Sequence, residues 1–538
     1  MIDLQISPLE ETIETLAISD RSEFELPPFG EADCAAEVLL LKEKYSDYYF
    51  SQTRFNWAAL DPKSYLIIGR RGSGKTALSQ YFTFQSKIRN AIAIDVDEPE
   101  LFHDVMRKIS SNRLDGRSIE IPRLMKVWEF CIWLTIFSKL RDHDPRILAA
   151  SFIGSESGKL AHFIVEMIKA AVTRFVGEEG RAVVDEFESL LGDARVQIGR
   201  EAVIELAKKR PIIIAIDTLE NYSIHDDAMM RAVASLIQFG SAFNRAYSVK
   251  NIHLKIFVMA ETYPYLKEEV VLNPLKHIRN EVFLHWRPKD LMRLICWRLY
   301  YFLRINGLVS PSFGLDINWR DHRDVFRRMW VPYFGESLVN GNGLSEKTFP
   351  YVLRHIQMRP RQLIVLCNSI AKSAKLDSGV RAFTGFTDSH LVKGIRAVES
   401  HLAGEVYSAY SEVYPRVSNI VEALTGIPMI FKGSELDKRA YVTASQWKTG
   451  QSEMDYSPYN FRQLVAELGI VGRVRRKHAD AGYVEADFEY TTEDRLPLLP
   501  TDECVIHPMF YQNLAVKIDH SLRIYPFPDH PEFQEYFL

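Results

Sequence analysis

Five short apolar runs mark the first half of the chain: YLIIG (65–69), AIAIDV (91–96), PIIIAID (211–217), HLKIFVMA (253–260) and EVFLHW (281–286). They are almost continuously hydrophobic and rich in β-branched residues. Runs of this kind, without polar alternation and separated by helical stretches, predict a parallel sheet covered on both faces. The interval 100–210 has helical spacing, as in LMKVWEFCIWLTIFSKL and AHFIVEMIKAAVTRF, and reads as a large helical insertion between the second and third strands. From PKDLMRLICWRLYYFLR (288–304) onward no further parallel strand is expected, and residues 288–404 read as a helical lid.

The pattern changes over residues 405–515. SPYNFRQLVAELGIV (457–471) reads as a helix, and GRVRRKHADAGYVEADFEY (472–490) as two strands joined by a turn at Asp480–Gly482. A helix followed by a hairpin is the order of a winged helix. Residues 1–29 form an acidic, proline-marked arm, and residues 30–287 are assigned to the sheet-bearing core. The tail, residues 516–538, is aromatic and proline-rich and is expected to pack as a strap or to meet a partner.

Composition narrows the class. With 538 residues, 47% hydrophobic and 25% charged, the chain is ordinary globular protein of more than one domain. A formal net charge of -4 excludes a general polyanion binder, although not a local basic patch. The five cysteines (Cys34, Cys131, Cys296, Cys367 and Cys504) form no CxxC or Cys/His ladder, so buried reduced thiols are expected and a zinc site is not. The acidic N-terminus has no basic segment ahead of an apolar one, which argues against a secretory signal. The most apolar stretch, VWEFCIWLTIF (127–137), is too short to span a bilayer and carries Glu129, so it reads as a buried helix. A cytoplasmic location without membrane partners is expected.

Chemistry enters at Gly69-Arg70-Arg71-Gly72-Ser73-Gly74-Lys75-Thr76, a full match to GxxxxGK[ST]. Glycines let the backbone curl so that successive N–H groups face phosphate oxygens. The helix opening at Lys75, Thr76 and Ala77 aims its positive end at the same anion. Lys75 is placed to reach the β- and γ-phosphates, and the Thr76 hydroxyl to bind Mg2+. The motif follows an apolar strand and opens a helix, the setting it needs. The expected fold class is therefore α/β: a P-loop NTPase core with a parallel sheet, a helical insertion and lid, and a C-terminal winged-helix-like domain.

Further candidates surround this loop. Asp217 ends the third apolar run, where a carboxylate would hold Mg2+ as a Walker B acid does. Glu220, three residues on, is a candidate to orient the attacking water, and Glu261 is an alternative. Thr262, after the fourth run, is a candidate γ-phosphate sensor. In MRPRQLIVLCN (358–368), Pro360 sets a helix start whose Arg361, or its neighbour Arg359, is placed to fold over the γ-phosphate. Arg279, just before the fifth run, is a candidate arginine finger toward the next subunit, or else a solvated arginine. On the expected wing, Arg473, Arg475 and Lys477 alternate and would share a face, either gripping phosphates or protecting a strand edge with charge.

This order of parts resembles the AAA+/STAND class of P-loop ATPases. The phrases IIGRRGSGKTAL, RPRQLIVLCN and FEY…CVIHPMF are more closely similar to a bacterial family of P-loop ATPases common in phage-defence and other conflict gene clusters. The resemblance implies binding of ATP with Mg2+, nucleotide-dependent self-assembly and control of a separate effector protein encoded nearby. The chain departs from the pattern at Thr218, which stands where many such ATPases carry a second acid after the Walker B aspartate. No base-reading motif such as NKxD separates ATP from GTP. Two other readings stay open: a nucleic-acid loader or remodeller using the winged helix, and a nucleotide-binding scaffold without turnover.

Overall fold

The computed structural model describes residues 26–83, 91–95, 121–151, 189, 191–217, 224–225, 227–267, 278, 280–376, 383–414, 416–444, 457–490 and 495–527. Contacts divide the chain into two units, residues 53–284 and residues 26–52 with 285 onward. Helix α1 (Cys34–Leu41) belongs to the second. From the sequence, residues from 30 on are expected with the sheet.

The first unit opens on α2 (Arg54–Leu60), capped by the Thr53 hydroxyl, which accepts from the Asn56 amide at 3.3 Å. Its sheet consists of β1 (Leu66–Gly69), β2 (Ile92–Asp95), β3 (Ile212–Ile216), β4 (Ile252–Met259) and β5 (Val282–Phe283), in the order β2-β3-β4-β1-β5. Every pairing is parallel. All residues of β1, β3 and β4 are buried, as unalternating apolar strands require. Only two residues of the fifth apolar run form strand, because it lies at the sheet edge with β1 as its single neighbour.

Helix α3 (Lys75–Thr83) follows β1. The insertion contributes α4 (Ile121–Leu140) and α5 (Ala194–Lys209), and α6 (Asp227–Tyr247) follows β3. The run 127–137 lies within α4, and its Trp128 indole N–H donates to Ala232 O at 3.0 Å and Ser235 Oγ at 2.9 Å of α6. Satisfying that polar tip is what permits so large a side chain to be fully buried. The run AHFIVEMIKAAVTRF lies outside the described residues. No helix among the described residues is long and apolar enough to cross a membrane.

The second unit is centred on α7 (Pro288–Ile305), most of whose residues are buried. Its Trp297 indole donates to Tyr48 O at 2.9 Å, and its Arg298 pairs with Glu37 of α1 at 2.8 and 3.0 Å. These contacts, between groups no local pattern relates, group residues 26–52 with this unit. Within the interval read as wholly helical, β6 (Ser337–Val339) and β7 (Ser345–Lys347) form a hairpin. The Asn340 side chain closes its turn by accepting from the amides of Asn342 and Leu344 at 2.9 and 3.1 Å. Helices α8 (Thr348–Leu353), α9 (Pro360–Ser373) and α10 (Asp388–Tyr410) follow, with α9 packed along α10.

The C-terminal part has the winged-helix order: β8 (Ile430–Lys432), α11 (Ser434–Ala444), α12 (Pro458–Glu467), and the antiparallel pair β9 (Val471–His478) and β10 (Tyr483–Asp487). Two strands enlarge it. β11 (Glu503–Ile506) inserts between β8 and β9, and β12 (Arg523–Tyr525), from the aromatic tail, adds parallel to β10. The molecule is thus α/β, with a P-loop NTPase sheet, a helical insertion and lid, and a winged-helix-like C-terminal domain.

Candidate nucleotide site

Parallel strands end on one edge, and that edge carries the candidate chemistry. β1 ends at Gly69, β3 is followed by Asp217, and β4 runs into Glu261 and Thr262. In register, Leu66, Ile256 and Ile216 form one row across β1, β4 and β3. Asp217 therefore lies one residue past that row and Gly69 three past it. Ligands of open α/β sheets bind outside these carboxyl ends, where loops leave the sheet in different directions.

The segment 70–74 is a loop between strand and helix, free of sheet pairing. The Ser73 amide donates to Arg70 O at 3.0 Å, and the helical ladder starts with Leu78 N to Gly74 O at 3.0 Å. Gly72 and Gly74 take φ of 79° and 95°. At Gly74 a Cβ would meet no atom within 4 Å, so backbone conformation alone demands glycine there, and the space above it is open. Lys75 is buried, its ammonium donating to Gly69 O at 3.2 Å and Arg70 O at 3.5 Å. Thr76 is exposed and Ala77 half-buried. A curled loop with positive-φ glycines, an ammonium held inside its curve and a helix N-terminus behind it fit a polyphosphate with its metal: Gly72 to Ala77 would hold the phosphates, and Thr76 with Asp217 the cation.

Glu261 has a partner that its position in the sequence does not reveal. It is buried, and its Oε1 accepts from the Arg71 amide at 2.9 Å, tying the end of β4 to the crown of the loop. Its Oε2 is also buried and has no hydrogen-bond partner among the described residues. An acid directly after the fourth apolar run is the one signal in the sequence, and it marks Glu261 only as an alternative to Glu220. Thr262 is fully buried, its hydroxyl 3.4 Å from Met259 O, and Asp217 is half-buried.

Glu220, with Thr218, and Arg279 lie outside the described residues. Arg361 belongs to the second unit, where its Nε donates to Ala32 O at 3.1 Å, and Arg359 is buried at the start of α9. On the wing, the expected common face of Arg473, Arg475 and Lys477 does not form. Val474 pairs with Ala486 but Arg476 with Glu485, so Arg475 is an extra, bulged residue. After it the alternation inverts: Arg476 falls on the face of Arg473, and Lys477 pairs with buried Val484 on the opposite one. Acids also meet these cations, with Lys477 2.7 Å from Glu503 and both Arg473 and Arg475 3.9 Å from Asp487.

No protein-family model matches the chain, and no curated protein matches it. Among solved structures it is similar to the ORC2 protein of Aeropyrum pernix in ADPNP–ADP complexes, at 12% identity over 91% of this chain and 94% of that one, with a TM-score of 0.33. It is also similar to the ORC1 protein of the same organism in complex with DNA, at 10% identity over 86% and 92%, with a TM-score of 0.30. Neither likeness transfers a function. What the residues of this chain form is a P-loop at the carboxyl edge of a parallel sheet, with an acid at the end of β3 and a second acid clamping the loop.

Proposed function

We propose that the protein binds ATP with Mg2+ and hydrolyses it, and that the nucleotide state controls self-assembly and a separate effector protein, in antiviral defence. The observation that carries the nucleotide reading is the loop of residues 69–76, with Lys75 held in its curve and Glu261 bracing its crown. Main-chain N–H groups of the loop grip phosphate oxygens, and Lys75 exchanges its carbonyl partners for the β- and γ-phosphates. Thr76 and Asp217 hold the cation, which neutralises charge on the transferring group. Glu220 orients the attacking water, Thr262 senses the γ-phosphate, and Arg361 and Arg279 supply positive charge from the lid and from a neighbouring subunit. The motif phrases RPRQLIVLCN and FEY…CVIHPMF support the effector and defence reading.

The test is a thermal-shift titration with Mg-ATP. A ligand present at a hundredfold its Kd stabilises by about 2.7 kcal/mol, enough to read as a shift of several degrees. Lys75→Ala is expected to abolish the shift, and Asp217→Ala to remove its dependence on Mg2+. An unchanged response in Lys75→Ala would overturn the nucleotide assignment. A metal dependence that survives Asp217→Ala would overturn the Walker B role.

A further inference from the structure

A cavity of about 430 Å3 lies within the second unit, lined by the hairpin turn at 340–344, the end of α8, one face of α10 and the segment 508–524. It draws no residue from the sheet unit, and its reading is independent of the nucleotide site. The volume is that of a small-molecule site. Its apolar lining residues are Ile395, Pro508, Ile518, Leu522 and Ile524, with Leu344 at the hairpin turn. The lining also carries three guanidinium groups (Arg354, Arg396 and Arg523), two imidazoles (His355 and His520) and one carboxylate, Glu399.

The charges are not equally committed. Arg354 is neutralised by Glu346 at 3.1 Å, and Glu399 lies 2.7 Å from His355 Nδ1. Arg523 donates to carbonyls, Gly482 O at 3.1 Å, Ser345 O at 3.0 Å and Ala481 O, which fix its position without cancelling its charge. Arg396 is exposed and pairs with no carboxylate among the described residues. Tyr511 lines the same cavity, and its hydroxyl is buried without a hydrogen-bond partner among the described residues. A buried hydroxyl without a partner is uncommon and calls for an acceptor. Two guanidinium groups without a carboxylate and one unused O–H, in a cavity that also presents apolar side chains, match a charged head on a hydrophobic body.

We propose that this cavity binds a small organic anion, a phosphate or carboxylate on a flat apolar body, with Arg396 and Arg523 on the charged head, the Tyr511 hydroxyl donating to it and Ile395 and Pro508 against the body. Titration calorimetry on the full chain tests it, with 1-naphthyl phosphate, 1-naphthoate, 1-naphthol and inorganic phosphate as probes. Saturable 1:1 binding of 1-naphthyl phosphate or 1-naphthoate is expected, and the tighter of the two identifies the head group. Naphthol and inorganic phosphate are each expected to bind at least tenfold more weakly. Arg396→Glu, a change at an exposed position, is expected to weaken binding at least tenfold and Tyr511→Phe several-fold, whereas Lys75→Ala leaves it unchanged. The proposal is overturned if neither naphthyl anion binds saturably, if naphthol binds as tightly as they do, if both Arg396→Glu and Tyr511→Phe bind like the parent, or if Lys75→Ala abolishes binding.

Discussion

At the scale of single residues, the candidate nucleotide site depends on an acid whose partner lies far away in sequence. Lys75, Thr76 and the loop glycines are legible because their spacing is the chemistry. Glu261 is not, since nothing local indicates that its Oε1 meets the Arg71 amide at 2.9 Å. A hydrogen bond from a backbone amide to a buried carboxylate contributes about 1.5–3 kcal/mol, and here it holds the loop proposed to grip the phosphates. Glu261→Ala is therefore expected to weaken Mg-ATP binding by about tenfold or more, measured by calorimetric titration, while the fold persists. If affinity were unchanged while turnover vanished, Glu261 would be the catalytic base and not a brace.

At the scale of elements, two contacts set how helices and strands meet. In the second unit, α9 and α10 approach so closely at Gly394 that an added Cβ would lie 2.6 Å from Ile370 Cα and 2.7 Å from Ile370 N. Those atoms are backbone and cannot rotate away. Gly394→Ala should therefore push the helices apart and cost about 1–3 kcal/mol, read as a lower urea midpoint with an unchanged slope. In the first unit, Lys255 of β4 is fully buried, and its ammonium reaches Asp61 O at 2.8 Å and Ser64 O at 2.5 Å, anchoring the turn that leads into β1. Burial lowers its pKa to about 7 from the 10.5 of a free lysine. Between these values the unfolded chain holds a proton that the folded chain has lost, so this lysine makes stability rise from about pH 7 toward 10.5. Below about pH 7 both states are protonated, and the full penalty applies. Lys255→Met should flatten that rise in urea denaturation across pH 7–10, whatever it does to absolute stability. The apolar run predicted the strand; it gave no sign that one of its side chains would anchor a loop.

At the scale of the whole chain, residues 26–52 and the C-terminal half are joined by a buried ion pair. Glu37 is 2% and Arg298 8% exposed, with two hydrogen bonds between them. Burial pushes the Glu37 carboxyl up, and Arg298 opposes that shift. Removing one partner strands the other: Arg298→Met should cost the second unit about 3–5 kcal/mol. The double variant Glu37→Gln with Arg298→Met should recover part of the loss. A double-mutant cycle in denaturant that gave purely additive effects would show that the pair is not coupled.

What the sequence determined by itself was local and periodic. Buried parallel strands must be continuously apolar, a phosphate loop must carry glycines at set spacing, and a winged helix must read as a helix followed by a turn-linked pair of strands, so each was written in one short stretch. What the tertiary structure alone decided was pairing at a distance: the strand order β2-β3-β4-β1-β5, the clamp of Glu261 on Arg71, and the union of residues 26–52 with α7. It also decided which face each wing cation takes, because the bulge at Arg475 inverts a period-two pattern that the sequence presents unbroken. Periodicity reports which side of an element is buried. Which partner buries it depends on contacts between residues remote in the chain, and one sequence carries no local signal of those.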